Sequence, residues 1–150
     1  MSAWLKSIGV TGDPLPPDWY VTRADALRRT QFARRPNINV CDKLVYYAIG
    51  RGCVCGIVEV ISPAVQGIYP DHWDEEKCSR WPWSVGVAPR LIISADGHAP
   101  TLADIGVDTL SVRRQSHIRL SGEQLDAAIS KILHIALNDP DAARIEMFPR

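Results

Sequence analysis

No stretch of the sequence approaches the roughly eighteen consecutive apolar residues that a membrane-spanning helix needs, so no segment is expected to enter a membrane. The N-terminus, Met1-Ser2-Ala3-Trp4-Leu5-Lys6, lacks a basic segment ahead of an apolar run and a small-residue cleavage site, and does not read as a secretory signal. The expected location is therefore cytoplasmic, with Cys41, Cys53, Cys55 and Cys78 as reduced thiols and not a disulfide framework. They do not form the paired C-x₂₋₄-C spacing of a structural zinc site, and no metal is expected. Net charge is also missing, with 17 basic against 17 acidic residues, so no overall charge attracts a polyanion. The sequence contains no G-x-x-x-x-G-K-[ST], G-x-G-x-x-G, G-x-S-x-G or H-E-x-x-H. His72, His98, His117 and His134 are scattered. These absences favour a binding module over an enzyme and call for no cofactor.

What remains is the composition of an ordinary globular chain. Its 150 residues suit one domain, large enough to bury roughly 70% of its unfolded surface without a cross-link. Residues 1–18 read as an N-terminal extension, because Pro14, Pro16 and Pro17 interrupt any regular element after a turn or two of helix from Ser2 to Ile8. Residues 19–137 form the domain, and 138–150 a tail. Trp19 to Thr22 has strand composition, and Ala24 to Ala33 reads as a helix. Lys43–Ile49 and Cys53–Ile61 are nearly continuous apolar runs around Gly50-Arg51-Gly52, the pattern of a hairpin covered on both faces. A polar loop spans 62–80, and Trp81 to Ser94 returns to strand character, with Pro89 demanding an edge or a bulge. Thr101 to Ile105 reads as a short helix, and Leu110–Val112 and His117–Leu120 as closing strands. Ser121 and Gln124 have capping-box spacing ahead of a stripe of Leu125, Ile129, Ile132, Leu133 and Ala136. Strands in succession argue for an α+β fold, a small mixed β-barrel flanked by helices.

Aromatics and arginines carry the functional signal. Tryptophan is abundant, five residues against two phenylalanines, and Trp73, Trp81 and Trp83 cluster with Tyr69 around the polar loop. Arg23, Arg28, Arg29, Arg34, Arg35 and Lys43 face only Asp25 and Asp42 in their stretch, and Arg113, Arg114 and Arg119 follow later. A slot of rings flanked by guanidiniums suits a nucleotide, since base–aromatic stacking contributes roughly 1–3 kcal/mol per base. Solvated arginines and a ring-filled barrel core would use the same residues for structure alone.

Several segments resemble the EVE domains, relatives of the YTH and ASCH domains in the PUA-like group. Val40-Cys41-Asp42-Lys43-Leu44-Val45-Tyr46-Tyr47 is similar to that family's entry into its second strand, with Cys41 where the family has glycine. Gly56-Ile57-Val58-Glu59-Val60, Tyr69-Pro70-Asp71, Arg80-Trp81-Pro82-Trp83-Ser84-Val85 and the run from Arg114-Gln115 to Leu120-Ser121 resemble its later motifs. The resemblance spans about residues 19–135. It implies a PUA-like barrel of five or six strands with a cleft for one extruded base, and DNA or RNA carrying a modified base as the partner. Tyr47, Asp71, Trp81 and Arg114 then fall on cleft positions, with Trp19, Thr22, Arg23 and Trp73 beside them. A regulator that binds a nucleotide or other small molecule, and a nuclease or nucleoside hydrolase of the ASCH type, are the alternatives.

Overall fold

The hairpin announced by Gly50-Arg51-Gly52 stands at the centre of the sheet. In the computed structural model, which describes residues 1–9, 14–112 and 117–146, strands β3 (Lys43–Ala48) and β4 (Cys53–Val60) pair antiparallel across that turn. Gly50 takes φ +88°, and a Cβ there would meet Pro14 Cβ at 2.6 Å, so both backbone and packing demand glycine. Around the hairpin the sheet runs β2-β6-β4-β3-β1-β7, built from β1 (Ala3–Ile8), β2 (Arg29–Phe32), β6 (Trp83–Ile93) and β7 (His117–Leu120). Short β5 (Val65–Gln66) and β8 (Ala143–Ile145) add to β6. Among the described strands only β1 and β3 run parallel, which makes the sheet mixed.

Five expectations are corrected here. Residues 3–8 are not part of an appendage but an interior strand, laddered to β3 on one side and β7 on the other. Alternation of Ala3 and Leu5 with Trp4, Lys6 and Ile8 suits a strand with two covered faces, and ladders to β3 along its length and to β7 over Ala3–Lys6 bond the backbone groups that a short helix would have bonded within itself. Conversely, Trp19–Thr22 is a single helical turn, α1, and not a strand. The segment from Ala24 is a 3₁₀ turn followed by β2, because β6 offers Arg29–Phe32 an antiparallel partner. Finally, 138–150 is not wholly a tail, since β8 extends β6. The loop at 62–80 holds β5 and helix α2 (Glu75–Arg80), N-capped by Asp74, whose carboxylate accepts the Lys77 N–H at 2.9 Å. Leu110–Val112 belongs to a 3₁₀ turn, not a strand.

Other features follow the expected chemistry. Helix α3 (Gly122–Asn138) starts at the Ser121/Gln124 capping box and buries Leu125, Ala128, Ile132 and Ala136. Pro89 sits where the β4–β6 register shifts, a bulge that relieves its missing N–H. Cys53 and Cys55 are buried thiols.

The sheet has a core on each side, as the continuous apolar runs required. Leu5, Val45, Ile57, Leu91 and Ile93 face α3. Leu44, Tyr46, Cys55, Val58, Val85 and Val87 face inward with Trp19 and Phe32. That inner face curls until the two ends of the six-strand path meet: Phe32 of β2 contacts His117 of β7 edge-on, ring centroids 5.1 Å apart. No ladder joins β2 to β7 among the described residues. The result is a half-barrel with a side-chain seam. No helix among the described residues is long and apolar enough to cross a membrane.

Candidate functional site

The seam concentrates unusual chemistry. Strand β1 alternates, so Trp4, Lys6 and Ile8 share the inner face; Lys6 sits opposite Tyr46 on β3 and His117 on β7. Its side chain is 7% exposed. The ammonium lies 4.9 Å from the Phe32 ring centroid and donates to the Ser7 carbonyl at 2.8 Å. Among the described residues no carboxylate forms an ion pair with it. Burial lowers its pKa from 10.5 to about 8. A buried charge is ordinarily paired, which makes Lys6 the outlier of this fold.

The groups around Lys6 grade from buried to exposed. His117, half-buried, is held below its ordinary pKa by desolvation first and by the Lys6 charge second. Trp4 packs edge-on to His117 at 5.6 Å, and the exposed Arg119 places its guanidinium 5.7 Å from the Trp4 ring. Across the seam, Trp83 pairs with Phe32 in register and carries Arg35 at 5.5 Å. Asp42 anchors this rim. Its buried carboxylate accepts from the Ser2 N–H (2.8 Å), the Asn39 N–H (3.0 Å) and the Trp4 indole (3.1 Å). Burial alone would raise its pKa, but these donors outweigh it and the net shift is downward.

The residues expected to line a base pocket are dispersed. Trp19 is fully buried in the inner core, edge-on to Tyr46 at 6.1 Å, and its Nε1–H finds no acceptor. It cannot offer a face to an entering base, so its place in the pocket is corrected. Tyr46 is locked by its hydroxyl donating to the Ala26 carbonyl at 2.6 Å. Tyr47 packs on the opposite face of β3, against the α3-side core, and is removed from the inner cleft. Thr22 is exposed and donates back to the Asp18 carbonyl, while Arg23 is the C-cap of α1. Arg114 lies outside the described residues.

Trp73 and Trp81 do come together. Their centroids are 5.8 Å apart; Tyr69 stacks on Trp73 at 6.5 Å, and the Arg80 guanidinium lies 4.8 Å from Trp81. Gln31 of β2 ties this loop to the barrel, its Nε2 donating to the Ile68 and Trp81 carbonyls, each at 3.2 Å. Asp71 is exposed in the same loop. An open depression of about 420 Å³ lies on the far side, under α3, lined by His98, Asp104, Lys131 and His134 among others. It gathers none of the expected residues. No group of three or more histidine, cysteine, aspartate or glutamate side chains among the described residues could hold a metal.

Sequence reasoning missed Lys6. The signal was present: one lysine flanked by apolar and aromatic residues in a segment that alternates with period two. Assigning the segment to an appendage hid it.

No family model and no curated protein matches the sequence. Solved structures match the fold. The YTH domain of Mmi1, in its complex with RNA, aligns with a TM-score of 0.61 at 7% identity over 91% of this chain and 80% of that one. The ASCH protein from Zymomonas mobilis aligns with a TM-score of 0.54 at 14% identity, over 86% and 94%. A hypothetical protein from Leishmania major gives 0.55 at 15% identity, over 89% and 96%. At such identities the likeness establishes architecture alone: this is an α+β half-barrel with a mixed sheet, matching the fold of YTH and ASCH domains.

Proposed function

We propose that the protein binds nucleic acid and seats one base at the β2–β7 seam. The observation that carries this reading is Lys6, an ammonium held inside an aromatic wall with no carboxylate partner among the described residues. Such a group is costly unless an incoming acceptor compensates it, and a base offers carbonyl oxygens and ring nitrogens at its edge. Trp4, His117 and Trp83 supply aromatic surface beside it, while Arg119 and Arg35 supply donors for phosphate. The RNA held by the matching Mmi1 YTH domain supports nucleic acid as the partner class. The EVE-type motifs support a modified base, and a methyl group in an apolar slot contributes about 1–3 kcal/mol, or roughly 10- to 200-fold in preference.

The test is a titration with modified and unmodified oligonucleotides at two salt concentrations, repeated with Lys6→Met. Binding that weakens with salt and is lost in the variant is the expected result. No binding to any oligonucleotide, or unchanged affinity in Lys6→Met, refutes the reading.

One observation favours a second reading. An amine with a pKa of about 8 is partly neutral near pH 7 and can accept a proton beside His117. Hydrolysis of a phosphodiester or of a modified nucleoside would use Lys6 as base. Product formation from a bound oligonucleotide, abolished in Lys6→Met, distinguishes this enzyme from a reader.

A further inference from the structure

Three arginines among the described residues lie over tryptophan rings: Arg119 on Trp4, Arg35 on Trp83 and Arg80 on Trp81. All three are exposed, and the tryptophans beneath them are half-buried. The pairs are not scattered. Trp4 reaches Phe32 through His117, and Phe32 stands opposite Trp83 in the β2–β6 ladder. Trp81 lies two residues before Trp83, fixed to β2 by the Gln31 bond to its carbonyl. The three tryptophans thus lie in order from the β1–β7 edge to the loop ahead of β6, with Phe32 buried beneath the seam between them and a guanidinium over each indole.

A guanidinium over a ring makes that contact through its charge and not through its N–H donors, which stay available for phosphate oxygens. Each pair thus places aromatic surface beside a phosphate donor, the combination by which single strands are bound. A duplex keeps its base faces inside its own stack and cannot use the rings. The acids set one end of the row. Asp71, Asp74, Glu75 and Glu76 flank Trp73 in sequence and are exposed, so the loop beyond Trp81 carries charge that opposes phosphate.

We propose that the row from Trp4 to Trp81 is a track for a short single-stranded oligonucleotide that passes over the seam. The inference rests on the seam being a base site and adds the substrate class: a single strand, in preference to a free nucleotide or a duplex. The arginines hold the backbone on either side of the base that Lys6 meets.

Fluorescence anisotropy on the full chain tests this with RNA and DNA single strands of about nine nucleotides, within the range of roughly 4–16 that such modules cover. A duplex of the same sequence and a mononucleotide competitor complete the set, and the tighter of RNA and DNA is the strand used for comparison. The single strand is expected to bind at least about tenfold more tightly than the mononucleotide or the duplex, since each stacked base contributes roughly five- to 150-fold. In the Arg80→Gln variant, whose change is confined to an exposed side chain outside the base site, the log–log salt slope for the strand should fall in magnitude by about 0.7. Mononucleotide affinity should stay the same. A strand that binds no better than the mononucleotide, a duplex that binds as well, or an unchanged salt slope overturns the track while leaving the seam site standing. Absence of binding by mononucleotide and strand alike removes the seam site itself, and the track with it.

Discussion

Replacing Lys6 with methionine should make the protein more stable at neutral pH, and the gain should disappear on the alkaline side. Burial lowers the Lys6 pKa from 10.5 to about 8, a difference worth about 3 kcal/mol. Below pH 8 both folded and unfolded chains carry the proton, and the folded state bears the full cost of the buried charge. As pH rises through the folded pKa, the folded chain releases its proton first. The unfolded state then binds more protons, so stability climbs until about pH 10.5. Methionine fills a similar volume without charge, but the Ser7 carbonyl loses its 2.8 Å donor, a loss of about 1 kcal/mol. The net expectation is a gain of about 2 kcal/mol at pH 7 that closes near pH 9.5, about 1.5 units above the folded pKa, and reverses above it. Urea unfolding of both proteins at pH 7, 9 and 10 measures it. The difference between them is the quantity to follow, because burial pushes the Tyr46 hydroxyl and Cys55 thiol upward and their ionisation in the unfolded chain opposes the lysine trend in both proteins. A variant less stable than the parent at pH 7, or a gap that does not narrow with pH, refutes the account of Lys6 as an uncompensated charge. A residue that costs stability where it stands is retained for another reason, and the seam supplies one.

Cys41 holds φ 77° on an exposed turn, at the position where the resembled family has glycine. Cys41→Gly should relieve about 1 kcal/mol of left-handed strain, raising Tm under reducing conditions by about 2–4 °C; a lower Tm contradicts this. Gly50→Ala should destabilise the β3–β4 hairpin by at least about 2 kcal/mol, because φ +88° and the contact with Pro14 both oppose a Cβ; equilibrium unfolding measures it. The lowered Asp42 pKa places its contribution above the unfolded value of about 3.9, and it is lost as pH falls through the folded value. Asp42→Asn should therefore cost about 1–3 kcal/mol at neutral pH and flatten the acid limb of stability, with Trp4 fluorescence reporting release of the rim.

Part of this molecule was readable residue by residue. The α3 boundaries were written in Ser121 and Gln124, because a capping box is satisfied within its own turn. The β3–β4 hairpin was written in its glycines, and the two cores in the unbroken apolar runs that a one-sided sheet cannot carry. Of the candidate site, the Trp73–Trp81 pairing was legible from proximity in sequence. The remainder depended on partners distant in the chain. Residues 3–8 could as well have been helical; two flanking strands made them β1. Trp19 had strand composition, yet a helical turn is what drops its indole into the barrel. Lys6 became exceptional only when β1 entered the sheet, because burial of its charge is a property of the surrounding barrel and no local pattern records it. Local hydrogen bonding and periodicity fixed the elements that complete themselves, and long-range pairing chose the state of those that do not.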